Sequence, residues 1–196
     1  MKRITVIGML ALFLGFSSLP AQDNYKIDRA HSTIGFKVSH MVVSKVRGKF
    51  NEFDATFKYH PTDISQWHVE AVIKTASIDT DNKKRDDHLR SPDFFDAARY
   101  PEIRFVSKRF EKTEDGYVVI GDLTMRGVTR EIRMPFELNG PITDPWGNQR
   151  IGVEGKTKVD RFDYNIRWSK TMDNGGLVVG RTVTIEINAE FIKAAQ

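Results

Sequence analysis

Residues whose side chains could do chemistry are concentrated in one stretch of the chain, residues 77–105. Asp86, His88 and Ser91 lie close together there, and a carboxylate, an imidazole and a hydroxyl are the groups that a hydrolytic triad combines. Structural roles explain these residues more simply, because Ser and Asp cap helices and the acidic residues alternate with Lys and Arg at helical spacing. The chain also lacks the Gly-x-Ser-x-Gly motif that presents a nucleophilic serine. We predict no catalytic residue and no enzyme activity.

The histidines are not spaced as metal ligands. No two of the five lie two residues apart on a predicted strand or four apart on a predicted helix, and the chain contains no Cys. His40, near the end of the first predicted strand, has the parity of the inner face, where it either bonds a backbone group or contacts a ligand. We predict neither a metal site nor a cofactor.

The basic residues of residues 77–105 favour an anion. Helix starts are predicted within residues 82–98, one of them at Ser91, and backbone N–H groups at a helix start attract phosphate. Arg85 and Arg90 could hold a phosphate head group, with His88 beside them. A solvated charged surface explains the same residues equally well. The choice depends on whether these side chains face the mouth of a cavity.

The elements that must position these residues are β-strands. Apolar and polar residues alternate over eight segments, which predicts an antiparallel sheet with one buried face. The apolar parity reverses between Phe50 and Phe53, which predicts a bulge or bend within the second strand. Long, sequentially adjacent strands favour closure of the sheet. The sequence therefore predicts an all-β fold, an eight-stranded antiparallel barrel with a short helical connection around residues 82–98. The predicted strands are residues 32–40, 46–59, 67–73, 102–111, 117–125, 132–138, 151–159 and 179–191.

An eight-stranded barrel is either filled by its own side chains or holds one small ligand. The inner faces here are rich in aromatic rings, and Gly48, Gly121 and Gly155 have inner parity, which favours a cavity over a filled core. Two adjacent rings, Phe94 and Phe95, lie on a connection that is otherwise polar and are predicted to cover one end as a lid. The predicted cavity lining is Ile34, Phe36, Val38, His40, Phe50, Phe53, Phe57, Phe94, Phe95, Phe105, Leu123, Met134 and Phe136.

The N-terminus has the form of a secretory signal peptide. Two basic residues precede an apolar run over residues 4–16, and small residues follow up to Ala21. We predict cleavage near Ala21, a single mature domain over residues 22–196, and a periplasmic or secreted location. Loss of Lys2 and Arg3 reduces the formal charge from +4 to +2, which is too weak a bias for nucleic-acid binding.

Several motifs resemble the YceI-like family, and together they extend over essentially all of the mature chain. They are His31-Ser32-x-Ile34-x-Phe36, Val46-Arg47-Gly48-x-Phe50, Ser77-Ile78-Asp79-Thr80, Arg85-Asp86-x-His88-Leu89-Arg90-Ser91, Asp93-Phe94-Phe95-Asp96, Tyr100-Pro101-x-Ile103-x-Phe105, Gly121-Asp122-Leu123-Thr124 and Asp144-Pro145-Trp146-Gly147. The resemblance implies a lipocalin-like barrel whose apolar cavity holds a polyisoprenoid or related amphiphile. It also implies export, commonly to the periplasm.

These observations predict an exported, non-enzymatic protein that binds an isoprenoid or related long-chain amphiphile for transport, storage or sequestration. The resemblance implies polyprenyl phosphates and quinones as ligand classes, with transient membrane contact. Two alternatives stay open: an enzyme acting on a bound prenyl lipid, with His40 or His88 as acid–base group, and a ligand-free stress-response barrel. The head group, the chain length and the choice between monomer and homodimer also stay open.

Overall fold

The structure, a computed structural model, describes residues 22–171 and 177–195. Within these residues the chain forms eleven antiparallel strands, one α-helix and four short 3-10 helices. The strands are β1 (Asp23–Ile27), β2 (Thr33–His40), β3 (Ser44–Phe50), β4 (Phe53–Tyr59), β5 (His68–Lys74), β6 (Ile78–Asp79), β7 (Glu102–Thr113), β8 (Gly116–Met125), β9 (Val128–Thr143), β10 (Gln149–Asp160) and β11 (Val179–Lys193). The helix is α1 (Lys83–Arg90), and the 3-10 helices are Arg29–His31, Ile64–Gln66, Thr75–Ser77 and Arg161–Tyr164.

The sheet closes into a barrel with eight strand positions. β1 pairs with the end of β11, and β2 pairs with the first part of β11. The two strands therefore share one position in the ring. β3 and β4 share the next position, because β3 pairs with β2 and β4 pairs with β1. The remaining positions are β5, β7, β8, β9, β10 and β11. The eight-stranded antiparallel barrel predicted from the sequence is confirmed.

The predicted bend in the second strand is also present. The strand predicted over residues 46–59 is divided into β3 and β4, and the break falls at Asn51 and Glu52. Phe50 and Phe53 on either side of the break are both buried, which explains why the apolar parity reverses there. Sequence analysis missed β1 and the two-residue β6, because both are too short to show a clear alternation.

One end of the barrel is closed by packed rings and is called the aromatic end. Trp67 lies at its centre, with ring centroids 5.6 Å from Phe57, 5.2 Å from Tyr59 and 5.0 Å from Tyr117. The indole N–H of Trp67 donates to the carbonyl of His60 at 2.7 Å, so that the polar group of this buried ring is satisfied. Edge-to-face and tilted ring pairs of this kind pack tightly, and they leave no passage here.

The opposite end carries residues 80–101, the turn at Arg126 and Gly127, and the 3-10 helix Arg161–Tyr164, and is called the helical end. Arg126 joins these parts, because its guanidinium donates to the carbonyl of Pro92 at 2.6 Å and to that of Asn165. Among the described residues, no helix is both long and apolar enough to cross a bilayer.

Helix α1 lies within the predicted helical connection, but the helix start predicted at Ser91 is wrong. Asn82 caps α1, its side chain accepting from the backbone N–H of Arg85 at 3.0 Å. Ser91 ends the same helix, and its hydroxyl donates to the carbonyl of His88 at 2.7 Å. A residue before proline avoids helical backbone angles, so Ser91 is extended and α1 ends there, and the chain continues as turns.

Candidate functional site

The barrel encloses a cavity of about 230 Å³ with an almost entirely apolar wall. Every barrel position contributes to it, because alternate residues of each strand point inward. Phe57, Phe110 and Phe136 form its floor next to the aromatic end. The hydrocarbon and aromatic groups of this wall offer no partner to a polar group, so they suit an apolar chain or ring.

Most of the predicted lining residues are brought together on this wall. They are Ile34, Phe36, Val38, Phe50, Phe57, Phe94, Phe95, Phe105, Leu123, Met134 and Phe136. Strands near the C-terminus add residues that sequence analysis assigned to an inner face without including them in the lining. Among these are Val153, Val183, Ile185 and Ile187. The alternating pattern that identifies the strands was sufficient to find them.

Two of the predicted lining residues lie elsewhere, and their assignment to the wall is corrected. His40 is the last residue of β2 and pairs with Val179 at the rim, so the strand ends before its imidazole meets the cavity. Phe53 is buried in the core at the start of β4, opposite Ile73, and does not border the open space. In both cases the parity was read correctly but the position along the strand was not available from the sequence.

The inner glycines make room for rings of the protein itself. A Cβ at Gly121 would lie 2.6 Å from Cζ of Phe105, and a Cβ at Gly48 would clash with the Phe36 ring. Each ring therefore lies over the backbone of a neighbouring glycine instead of reaching across the barrel. The glycines thus contribute to the cavity indirectly, by letting the lining rings lie close to the sheet.

The two phenylalanines of the helical connection lie on the wall at the helical end. Phe95 meets Phe50 edge to face, with ring centroids 6.0 Å apart. Phe94 is buried between His88 and Trp168, at centroid distances of 5.0 and 5.1 Å. The connection therefore covers part of the cavity at the helical end, opposite the packed rings of the aromatic end.

The predicted head-group residues do not border the cavity. Arg85 donates to the side chain and the carbonyl of Thr80, both at 2.7 Å. Arg90 donates to the carbonyls of Ala76 at 2.7 Å and Ile78 at 2.8 Å. The imidazole of His88 forms a hydrogen bond of 2.8 Å with the carboxylate of Asp93. These contacts hold α1 against neighbouring segments of the same chain. The three side chains therefore stabilise the helical connection and do not border the cavity.

A charged residue that sequence analysis missed does border the cavity. Arg161 is only 4% exposed, and among the lining residues of the described chain it is the only charged one. Its Nε donates to the carbonyl of Gly180 at 2.9 Å and one Nη to that of Val179 at 3.0 Å. The other Nη donates to the carbonyls of Ile166 at 2.7 Å and Trp168 at 2.8 Å. A buried guanidinium thus joins two separate segments of chain.

Among the described residues, the guanidinium of Arg161 has partners for all but one of its donors. It has five N–H groups, and four of them are used by the backbone carbonyls described above. Burial lowers the pKa of Arg161, and the nearby carboxylate of Asp160 opposes that effect. No carboxylate of the described residues forms an ion pair with Arg161, since Asp160 is paired with Arg181 at 2.5 Å. The cavity wall therefore includes a positively charged group at the helical end.

A second polar cluster lies outside the cavity, around Arg150. Asp28, His31 and Glu190 place ligand atoms within 4.8 Å of one another. Arg150 donates to Asp28 at 3.0 Å, to Asp144 at 2.6 Å, and to Glu190. The guanidinium thus supplies the positive charge that a metal ion would bring, and the cluster connects the start of the chain to the β9–β10 turn.

Comparison with known proteins places this barrel in a family. The sequence pattern of the YceI-like domain matches residues 25–191. The chain belongs to the YceI-like family. A UPF0312 protein of Photorhabdus laumondii is 40% identical to it over 171 residues, covering 85% of this chain and 88% of the relative. A UPF0312 protein of Staphylococcus aureus is 37% identical over 169 residues, covering 86% of this chain and 96% of the relative. The resemblance stated from the motifs is confirmed.

Solved structures of this YceI-like fold are similar in shape. The YceI protein of Campylobacter jejuni is 30% identical, with a TM-score of 0.69 over 86% of this chain and 96% of its own. BcnA of Burkholderia cenocepacia is 24% identical, with a TM-score of 0.74 over 84% of this chain and 98% of its own. A polyisoprenoid-binding domain from Saccharophagus degradans is 16% identical, with a TM-score of 0.62 over 87% of this chain and 98% of its own. The last two show the fold alone.

Proposed function

We propose that this YceI-like protein is exported and binds one long-chain isoprenoid amphiphile in its cavity, for transport, storage or sequestration. The observation that carries the proposal is the closed barrel with an apolar wall and, within the described part of the chain, one charged group at one end. The structural neighbour from Saccharophagus degradans, described as a polyisoprenoid-binding domain, supports the same ligand class. Export rests on the signal peptide predicted over residues 1–21, which lies outside the described residues.

The volume of the cavity limits how much of an apolar chain it can hold. About 230 Å³ is below the roughly 300–1,000 Å³ of pockets that enclose compact ligands. The closed aromatic end means that a chain enters at the helical end, where Phe94 and Phe95 have to move aside. We propose that the apolar tail lies on the floor formed by Phe57, Phe110 and Phe136 and that a longer ligand extends past the helical connection.

The head group is proposed to lie at Arg161. The positive charge there attracts an oxygen that is anionic or strongly polar, such as a phosphate or a quinone carbonyl. Arg85 and Arg90 are engaged with backbone carbonyls and lie away from the wall, so they are not part of this contact. We propose binding without catalysis, because a hydrophobic wall with one arginine supplies neither a nucleophile nor a general base.

The free energy of transferring a lipid chain from a bilayer to the cavity is consistent with reversible binding. Burial of one CH₂ group from water contributes about 0.8 kcal/mol, so a long chain would bind strongly if it came from water. Such a chain comes instead from a bilayer, where it is already removed from water, and transfer to the cavity is then close to balanced. The head-group contact decides the direction, which allows both loading and release.

Substitution of Phe36 tests the cavity. Phe36 lies on the wall with its ring 5.9 Å from that of Phe50. We expect Phe36→Arg to abolish copurification of a prenyl lipid, measured by native mass spectrometry and organic extraction, because a buried charge excludes hydrocarbon. Phe36→Leu, the matched control, should retain the lipid. Circular dichroism establishes that both variants are folded.

Three results would contradict the proposal. A folded Phe36→Arg protein with the wild-type amount of lipid would show that the ligand is held elsewhere. A wild-type protein with no bound lipid and no gain in thermal stability from added polyprenyl phosphate would favour the ligand-free barrel. Formation of a product from polyprenyl diphosphate, lost in His88→Ala, would favour an enzyme.

A further inference from the structure

The hairpin that connects β2 and β3 ends in an exposed apolar tip. Met41, Val42 and Val43 are 43%, 76% and 86% exposed, and they follow one another at the turn. Single apolar residues on a surface are ordinary, but three in succession at a protruding turn form a patch. These three residues are called the hairpin tip.

The turn itself does not favour these residues. Met41 and Val42 have φ angles of +50° and +64°, in the left-handed region that favours Gly and Asn. A β-branched residue is disfavoured there, and Asn-Gly is the usual choice for a tight hairpin of this kind. Local folding and solubility would therefore both favour polar residues. The apolar side chains have to be explained by something outside the hairpin.

The strand that follows the tip is basic on its outer face. Lys45, Arg47 and Lys49 alternate along β3 and are all exposed on its outer face. The chain has no Asp or Glu between His31 and Phe50. Neither Lys45 nor Arg47 forms an ion pair with any described residue. Apolar residues flanked by unpaired basic residues complement a surface of anionic head groups over hydrocarbon.

The tip is joined to the helical end of the barrel. The backbone N–H of Met41 donates to the carbonyl of Val178 at 2.8 Å, directly before the start of β11. The next residue, Val179, lies on the cavity wall and accepts a hydrogen bond from Arg161 at 3.0 Å. The tip thus lies next to the end through which the ligand of the proposed function enters.

We propose that the hairpin tip inserts into the surface of an anionic phospholipid bilayer, with the basic face of β3 against the head groups, and places the helical end of the barrel at the membrane. The proposal rests on the proposed function for its purpose, since a barrel that exchanges a membrane lipid has to bring its open end to the bilayer. Docking itself requires only the tip and the basic residues.

A second exposed apolar pair provides an internal control. Ile142 and Trp146, on the β9–β10 turn, are 63% and 80% exposed. They lie beside the carboxylates of Asp144 and its neighbours around Arg150, so their surroundings do not complement an anionic surface. If exposed apolar area alone caused membrane binding, this pair would contribute as much as the tip.

Vesicle flotation tests the proposal on the purified protein. The probes are vesicles of phosphatidylcholine containing phosphatidylglycerol, and vesicles of phosphatidylcholine alone. We expect binding to the anionic vesicles only, weakened by added salt. Val42→Asn with Val43→Ser should reduce binding by about a hundredfold or more, because each buried Val contributes roughly a tenfold factor or more. Asn tolerates the left-handed angle of Val42, so this variant should stay folded.

Two control variants separate the contributions. Lys45→Gln with Arg47→Gln should remove the preference for anionic vesicles. Ile142→Thr with Trp146→Ser should bind as the wild type does. Equal binding by the Val42 and Val43 variant and the wild type would overturn the proposal, and so would a loss confined to the Ile142 and Trp146 variant. A wild-type dimer that the tip variant converts to monomer, without vesicle binding, would identify the tip as a subunit interface and overturn it as well.

The outcome is distinguishable from that of the proposed function. Cavity occupancy is measured by mass spectrometry on the same tip variant after it is loaded with detergent-solubilised polyprenyl phosphate, and we expect it to match the wild type. Tip-dependent vesicle binding by a protein that takes up no lipid would support docking and contradict the proposed function. Normal lipid uptake with no vesicle binding would support the proposed function and contradict docking.

Discussion

Replacement of Arg161 by Met tests whether the buried guanidinium holds the helical end together. Methionine retains an unbranched apolar stem but lacks the guanidinium, so the contact of the guanidinium carbon with the Phe162 ring, at 4.8 Å, is lost with the rest of that group. The four hydrogen bonds to backbone carbonyls are lost, and those carbonyls are left buried or have to be reached by water. The change therefore isolates the polar contribution of the side chain.

The expected loss is large. A hydrogen bond to a charged group contributes about 1.5–3 kcal/mol, but the four bonds are not additive, and removal of the buried charge recovers some of its desolvation free energy. We expect Arg161→Met to lower the free energy of unfolding by about 3–5 kcal/mol. Arg161→Lys, which keeps the charge but has three donors instead of five, should lose only part of that.

Arg181 is the matched control. It also lies over the Phe162 ring, at 4.6 Å, but its side chain is 54% exposed and its partner is the carboxylate of Asp160. Arg181→Met should lower the free energy of unfolding by less than about 1 kcal/mol, because exposed ion pairs contribute little to stability. Urea unfolding, followed by tryptophan fluorescence with the slope of the transition held equal, gives both values. Equal losses in the two variants, or a loss below about 1 kcal/mol for Arg161→Met, would refute the assignment.

Two further predictions concern the barrel and its acid stability. Gly121→Ala should destabilise by about 1–3 kcal/mol in urea unfolding, because the new Cβ would lie 2.5 Å from the carbonyl oxygen of Val106. Gly152→Ala, whose Cβ meets nothing closer than 3.7 Å, should be neutral or stabilising by about 0.4–1 kcal/mol. Burial raises the pKa of Asp144, but hydrogen bonds from Arg150 and Asn148 outweigh it and hold the pKa well below its usual range. The stabilisation from Asp144 is therefore complete above the unfolded pKa of about 4 and is lost as the pH falls below it, so Asp144→Asn should flatten the fall of Tm on acidification.

Clear results would contradict these two predictions. If Gly121→Ala and Gly152→Ala had the same stability, the close approach at Gly121 would not constrain the barrel. If Tm of Asp144→Asn fell as steeply with acidification as that of the wild type, the acid sensitivity would come from Asp28 or other carboxylates whose pKa is lowered.

Much of the fold could be predicted because strand alternation is a local property. The break between Phe50 and Phe53 and most of the cavity wall follow from the parity of residues along each strand, which the chain fixes without reference to its neighbours. Where a strand ends is set by its partners. For that reason His40 was assigned to the wall although β2 ends at the rim, and the pairing of Tyr25 with Lys193 that closes the ring was not foreseen.

The class of fold, the apolar inner face and the family depend on residue types at regular spacing, so they can be inferred from the chain without its folded form. Which basic residue meets the cavity depends on contacts that form only in the folded barrel. Arg85 and Arg90 lie beside a predicted helix start, which favours an anion, but they donate to carbonyls of neighbouring segments of the same chain. Arg161 had no local signal, and it borders the cavity because closure of the barrel brings the carbonyls of Ile166 and Val179 to one guanidinium. Such a site is made by pairing between distant segments, and no pattern within one segment can encode it.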